Sequence, residues 1–256
     1  MNEPADPIVV KLRIPGLWPH PKDLLASLPT GFRFTPDSLV FPDKTRIGFS
    51  ILDADNQFAQ IFRSSCRQPA ETHELEIVDG YKVNVCLSGP GGSIPAALKM
   101  MEAGATLIRA GGAGVFIDNS ALAHGGQNWI EMAEDGSPDA LSFAFVSIVG
   151  GKTEAYTMGM HVLGLRDVVM GRPDAESDEF GIIDVVRYLA RSEKPVADGH
   201  LFADLDGPRF QAVAQNHSNS PAGSPMHNPF GQWKLVSMRD VAERWPSATG
   251  FSLRAR

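Results

Sequence analysis

Several histidines and aspartates of this sequence could bind a metal ion or take part in catalysis. His161 and Asp167 lie in the run 156–167, where two glycines also interrupt an otherwise apolar sequence. His200 and Asp204 follow farther along the chain. Imidazole and carboxylate groups are common ligands of zinc, iron and manganese, and a site needs three or four of them to converge. The four residues therefore form a candidate site, with a divalent metal as its candidate cofactor.

Two predicted strands decide whether these groups meet. The runs 160–165 and 198–203 have strand-like patterns, and glycine within a strand often marks a close approach of another backbone or a ligand. If the two strands are neighbours, His161 and His200 lie on one face, with Asp167 or Asp204 at its rim. The spacings match no compact metal-binding motif, so hydrogen-bonded structural histidines are the alternative interpretation.

A glycine-rich turn between a predicted strand and a predicted helix is a second candidate site. Gly89, Gly91, Gly92 and Ser93 precede the helix, where exposed N–H groups and the positive helix end favour an anion. The turn lacks the lysine of a phosphate-binding loop, and Ile94 stands where the dinucleotide fingerprint has a small residue. A plain tight turn is therefore the competing interpretation of these residues.

Complete catalytic motifs do not occur in the sequence. There is no HExxH, CxxC or Gly-x-Ser-x-Gly pattern, and the two cysteines, Cys66 and Cys86, are typical of small buried residues. We therefore expect a non-enzymatic binding or interaction protein whose partner is another protein or a small molecule. The alternative is a metal-dependent, hydrolase-like enzyme that uses His161, His200 and a nearby aspartate.

The composition is that of an ordinary globular protein. The 256 residues are 43% hydrophobic and 21% charged, which is typical of a chain that buries a substantial core. The net charge of −7 argues against nucleic acid or an anionic membrane as a partner. No apolar run approaches the ~18 residues of a membrane span, and no signal peptide is evident, so we expect a cytoplasmic protein.

The first third of the chain predicts an α+β unit. Strands are expected at 8–14 and 46–52, and a helix whose first turn contains proline is expected at 21–28. Phe58, Ile61 and Phe62 form the apolar face of a second helix, and we expect a closing strand at 74–78.

The remainder repeats this order of elements with insertions. The alternating run 82–87 predicts a strand, and the apolar spacing in 94–108 predicts a helix. The β-rich run 141–149 should pair with the run 156–167 in a hairpin. A later helix should present Ile182, Ile183, Val186 and Leu189 on one face.

The predicted order of strands and helices is compatible with two α+β architectures. The first consists of two split-βαβ (ferredoxin-like) lobes with mainly antiparallel sheets, which cover residues 1–79 and 80–240 and leave a tail at 241–256. The second is one continuous α+β domain.

Several short motifs together resemble a known family. The chain resembles an uncharacterised bacterial family of the domain-of-unknown-function type, numbered 4261. The resemblance implies a soluble bacterial α+β protein and no particular reaction. The family pattern has leucine and glutamate where this chain has Met160 and Asp167. The motifs that carry the resemblance are 53–58, 87–92, 109–115, 123–124, 159–167 and 228–233.

Overall fold

The computed structural model describes residues 7–177, 180–204 and 207–238. Its strands and helices confirm the predicted α+β class with mainly antiparallel sheets. The strands are β1 Val9–Gly16, β2 Arg33–Phe34, β3 Ser38–Val40, β4 Arg46–Asp53, β5 Val83–Pro90, β6 Gly114–Ile117, β7 Leu122–Gly125, β8 Ser147–Gly150, β9 Glu154–Met158, β10 Asp167–Gly171, β11 Leu201–Asp204, β12 Gly207–Gln215 and β13 Gln232–Ser237. The helices are α1 Pro21–Ser27, α2 Phe58–Ser65, α3 Thr72–Gly80, α4 Ile94–Arg109, α5 Gly126–Asp135, α6 Pro138–Phe145, α7 Arg172–Ala175 and α8 Ile182–Arg191, together with a 3₁₀ helix, Met160–Leu163.

The strands form two sheets. One has seven strands in the order β2-β3-β4-β5-β1-β6-β7, and the other has six in the order β11-β12-β13-β10-β9-β8. Strands β10 and β13 run parallel, whereas the other described pairs are antiparallel. Each sheet is larger than the four-stranded split-βαβ unit.

The seven-stranded sheet contains strands from both sides of residue 79. Strand β5 lies between β1 and β4, with Leu87 opposite Leu12 on one side and Phe49 on the other. Strands β6 and β7 extend the same sheet beyond β1. The predicted boundary after residue 79 therefore does not separate the two sheets.

Helix α4 packs in a hydrophobic core that includes residues of both sheets. The Ser93 side chain accepts a hydrogen bond from Ala96 N–H and so begins the helix as its N-cap. In the middle of the helix, a Cβ at Gly104 would lie 2.7 Å from Trp129 Nε1, so glycine allows the indole to approach the helix backbone. Trp129 Nε1–H donates to Met101 O at 3.0 Å, which joins α5 to α4.

Two predicted strands are helical instead. The run 74–78 lies in α3, where Glu71 and Glu74 form a capping box at the helix start. The first part of the run 141–149 lies in α6, because Ser137 caps that helix by accepting a hydrogen bond from Ala140 N–H at 3.1 Å. Local capping outweighs the β-propensity of both segments.

The second part of that run does form the predicted hairpin. Strand β8 pairs antiparallel with β9, from Ser147 opposite Met158 to Gly150 opposite Ala155. Among the described helices, none combines the length and apolar character needed to cross a membrane.

Candidate functional site

The run 156–167 is a strand, a 3₁₀ helix and a second strand, rather than the single strand that was predicted. Strand β9 ends at Met158, and Gly159 then takes a φ of 101°. Gly164 ends the 3₁₀ helix with a φ of 81°. Both values are in the left-handed region that favours glycine, so the two glycines reverse the chain on either side of His161.

The Asp167 carboxylate holds this reversal together. Its Oδ1 accepts hydrogen bonds from Thr157 Oγ1–H at 3.1 Å and from Met160 N–H at 3.3 Å, and its Oδ2 accepts one from Asn228 Nδ2–H at 2.9 Å. Asn228 Nδ2 also donates to Leu165 O at 3.0 Å. Asp167 therefore joins β9, the 3₁₀ helix and the segment before β13 at one buried point.

Burial changes the acidity of Asp167. Desolvation raises the pKa of its carboxyl to about 6, although the hydrogen bonds from Asn228, Thr157 and Met160 oppose the shift. All three donors point at the carboxylate, and its side chain is sealed from solvent. In this position the group organises the backbone of the turn and has no open face for a substrate.

His161 is also buried and used internally. Its Nε2 lies 3.1 Å from Pro225 O and 3.2 Å from Asn119 Nδ2. Asn119 Nδ2 donates to the carbonyl oxygens of Val9 and Pro225, so Nε2–H is the donor to Pro225 O. That assignment leaves Nδ1 as a bare acceptor without a hydrogen-bond partner in the described structure.

The imidazole of His161 is neutral at neutral pH. Burial lowers the pKa of His161 to about 4, because the charged form is poorly solvated there. A second buried imidazole behaves in the same way: burial lowers the pKa of His124 to about 4, and its Nε2–H donates to Ala144 O at 2.9 Å. Both histidines are therefore structural hydrogen-bond donors.

His161 and His200 do not form the predicted pair. The predicted strand 160–165 is mostly the 3₁₀ helix, and β13 and β12 separate β11 from β10, the strand that follows this helix. The His200 ring packs against Phe202 and Tyr188, and its Nε2 lies 3.2 Å from the Tyr188 hydroxyl. Asp204 ends β11, and its side chain lies outside the described part of the structure. Within the described residues, no three His, Cys, Asp or Glu side chains form a group that could hold a metal ion.

The glycine-rich turn forms internal hydrogen bonds. Gly91 N–H donates to Ile8 O and Gly92 N–H donates to Val162 O, both at 2.9 Å. Gly89 lies within β5, opposite Val10 of β1, and Ser93 caps α4. These bonds use the N–H groups of Gly91 and Gly92 that an anion would need, and they fix the turn against the 3₁₀ helix.

A large open cavity lies elsewhere, beside β8. This groove has a volume of about 860 Å³ and a mostly apolar lining. Its walls come from the segment after α2, from α5 and α6, from the start of β8 and from α8. Residues that line it include Cys66, Arg67, Leu122, Glu131, Met132, Asp135, Phe143, Val146, Ile148, Ile183, Val186 and Arg187.

Strand β8 presents a free backbone edge to this groove. Gly151 N–H donates to Glu154 O at 2.8 Å, which makes Gly150 and Ala155 a non-hydrogen-bonded pair. By alternation, Val149 bonds to β9, whereas the N–H and C=O groups of Ile148 and Gly150 point away from it. Strand β8 is at the end of its sheet, so these groups have no strand partner in the described structure.

Arg67 lines the groove and is bound to α6. Its guanidinium donates to Phe143 O at 2.8 Å and to Val146 O, and it lies 4.7 Å from the centre of the Phe143 ring. Phe143 is in the last turn of α6, so the cation lies at the negative end of that helix. Desolvation lowers the pKa of Arg67, and the nearby carbonyl groups hold its charge in place.

Two acidic residues of α5 also line the groove. Glu131 and Asp135 are exposed and lie one turn apart on α5. Glu131 accepts a hydrogen bond from Gln127, and Asp135 accepts one from Ser137 N–H. Neither carboxylate pairs with a cation in the described part of the chain. These two carboxylates therefore favour a positively charged group on a ligand.

Cysteine chemistry does not define the groove. Cys66 and Cys86 are both free and half-buried. Burial raises the pKa of the Cys66 thiol to about 11, so the reactive thiolate is scarce at neutral pH.

Sequence patterns do not predict this groove, because its lining residues come from four stretches that are separate along the chain, namely 65–68, 122, 131–148 and 183–187. The sequence of α8 contained one indication of the groove. The predicted apolar face of that helix contained both Ile182 and Ile183, yet Ile182 is buried and Ile183 is 51% exposed. An isoleucine next to the buried face of a helix is a sign of an apolar surface outside the core.

Comparisons of this chain with protein-family models, with curated proteins and with solved structures found no match. The resemblance to the family numbered 4261 therefore stays a prediction.

Proposed function

We propose that the protein is a binding protein that takes an extended peptide segment of a partner protein in the groove beside β8. The observation that carries this proposal is the position of the free β8 edge. Ile148 lines this groove, and its backbone N–H and C=O point away from β9. An extended peptide adds to such an edge through main-chain hydrogen bonds, and pockets beside the edge then select its side chains.

The lining of the groove also favours particular side chains on the peptide. Exposed apolar surface on Ile183 and Ile148, which are 51% and 36% exposed, favours an aliphatic or aromatic side chain on the peptide. Glu131 and Asp135 favour a lysine or arginine beside it, because both carboxylates lack a cationic partner in the described structure. The expected ligand is an extended segment with a large apolar residue next to a basic one.

Peptide selection tests this proposal. A library of random peptides displayed on phage is selected on the whole protein, and enriched sequences are synthesised and titrated by isothermal calorimetry. We expect apolar–basic sequences with dissociation constants of about 1–100 µM, since a few main-chain bonds and one anchor side chain must offset the cost of ordering the peptide.

Three variants separate the contributions of the groove. Ile148→Pro removes the outward N–H at an edge position where proline is tolerated, and we expect it to weaken binding about tenfold or more. Ile148→Thr keeps that N–H and should weaken binding less. Glu131→Lys combined with Asp135→Lys should reverse the preference for basic peptides. Equal affinity of wild type and Ile148→Pro for every selected peptide would contradict strand addition at β8.

A further inference from the structure

A second cavity lies where two of the motifs that carry the family resemblance meet. It has a volume of about 500 Å³ and is lined by residues from 164–166, from 229–233 and from the end of α8 and the segment after it. The first two segments belong to the runs 159–167 and 228–233. This pocket shares no lining residue with the groove beside β8.

Arg166 is held in one orientation at this pocket. Its Nη1 donates to Gln215 O at 3.1 Å, and Nη1 and Nη2 lie 3.4 and 3.3 Å from Asn216 Oδ1. The guanidinium stacks 4.9 Å from the centre of the Trp233 ring. Gly231 has a φ of 78°, and a Cβ there would lie 2.2 Å from Gln215 O and 3.1 Å from Arg166 Nη1. Glycine at this position therefore allows the arginine to lie flat against the backbone.

These contacts leave one edge of the guanidinium unused. Arginine has five N–H donors, and the bonds to Gln215 and Asn216 use both hydrogens of Nη1 and one of Nη2. The remaining N–H groups, on Nε and Nη2, are parallel and have no acceptor in the described structure. Two parallel donors are the arrangement that binds a carboxylate or phosphate through two hydrogen bonds.

The rest of the pocket matches an organic anion. Lys194 adds a second cation, and none of the described lining residues is acidic. Leu189, Val196 and Phe230 supply apolar surface, and Phe230 is 38% exposed. An inorganic ion would leave this apolar surface in contact with water, whereas an organic anion would cover it.

We propose that this pocket binds a small organic anion, a carboxylate or a phosphate monoester, whose charged group bonds to the Nε and Nη2 edge of Arg166 and whose apolar body lies on Phe230, Leu189 and Val196. The site is independent of peptide binding beside β8. If Arg166 is instead a surface residue without a ligand, neither a carboxylate nor a phosphate monoester will bind at this pocket.

Titrations of the whole protein monitored by NMR test this site. The probes are benzoate, phenyl phosphate, benzamide as the neutral analogue of benzoate, and inorganic phosphate as an anion without an apolar body. The indole N–H signal of Trp233, assigned by its loss in Trp233→Phe, reports binding at this pocket. We expect benzoate or phenyl phosphate to shift this signal with a dissociation constant of about 1–10 mM, and benzamide and inorganic phosphate to bind at least tenfold more weakly. The stronger of the two organic anions identifies the preferred charged group.

Two substitutions identify the residue that holds the anion. Arg166→Gln should weaken binding about 10- to 100-fold, because it removes a charge-assisted double hydrogen bond. Arg166→Lys keeps the charge but not the paired donors, and it provides a second test if the glutamine variant folds poorly. The matched control Arg109→Gln removes an exposed arginine that pairs with Glu134 and should bind as wild type does. No shift of the Trp233 signal with either organic anion, or unchanged binding in both Arg166 variants, would overturn the proposal.

Discussion

Replacing Asp167 by asparagine tests how the buried carboxylate links stability to pH. The pKa of Asp167 rises from 3.8 to about 6 on folding. The folded state therefore binds the proton more tightly, so the stabilising contribution is complete below pH 3.8 and is lost as the pH rises through 6. A difference of about two pKa units corresponds to about 3 kcal/mol, of which about 2 kcal/mol is lost between pH 4.5 and pH 7.5.

The measurement is the free energy of unfolding in urea, at both pH values, for wild type and Asp167→Asn. The variant should be less stable by about 1–3 kcal/mol at the higher pH, because one amide oxygen replaces two carboxylate oxygens among the three donors. From pH 7.5 to pH 4.5, wild type should gain about 2 kcal/mol relative to the variant. His124 and His161 titrate in both proteins, so their contributions cancel in this difference.

Asp43→Asn is the matched control. Asp43 is exposed, and hydrogen bonds from Thr45 and Lys99 lower its pKa to about 2. Both this value and the ordinary value of 3.8 lie below pH 4.5, so the effect of the substitution should be nearly constant between the two pH values. A constant effect of Asp167→Asn would refute the raised pKa. If wild type instead loses stability relative to that variant at low pH, the three donors outweigh desolvation.

Two further stability measurements test the turn. Gly164→Ala should lower the free energy of unfolding by about 2–4 kcal/mol, because a Cβ would lie 2.4 Å from Gly92 O and the φ is 81°. Gly223→Ala has a similar φ of 85° with no atom within 4 Å, so it should cost only about 1–2 kcal/mol, and equal losses would refute the clash. His161→Ala should cost about 2–4 kcal/mol in urea unfolding, because it opens a buried cavity and removes the bond to Pro225 O. A loss below about 1 kcal/mol would contradict the structural role of His161.

The spacing of apolar residues predicted the helices and strands that form from local sequence alone. The run 94–108 has apolar residues three and four positions apart and forms α4, and the turn after Val149 forms the β8–β9 hairpin. The strand predicted at 141–149 was wrong in its first half, because a serine cap and a proline just before this run begin α6, which continues into it. Capping residues at 137–138 were the signal that distinguishes the helix from a strand.

The site was less predictable because it depends on strand order. His161 and Asp167 were identified from their types, but the sequence does not show that Pro225 and Asn228 lie beside them. These contacts join residues more than 60 positions apart, as do the contacts that place Arg67 on α6. Glycines at 159 and 164 indicated a backbone reversal, and their positive φ values explain why the run is not a continuous strand.

We expect the outward backbone groups of β8 to pair with a peptide strand. Hydrogen exchange of individual amides, followed by NMR with and without a selected peptide, tests it directly. In the free protein, the amides of Ile148 and Gly150 should exchange faster than that of Val149, which bonds to β9. Peptide binding should slow exchange at Ile148 and leave Val149 nearly unchanged. Binding of the peptide without added protection at Ile148 or Gly150 would contradict strand addition at this edge.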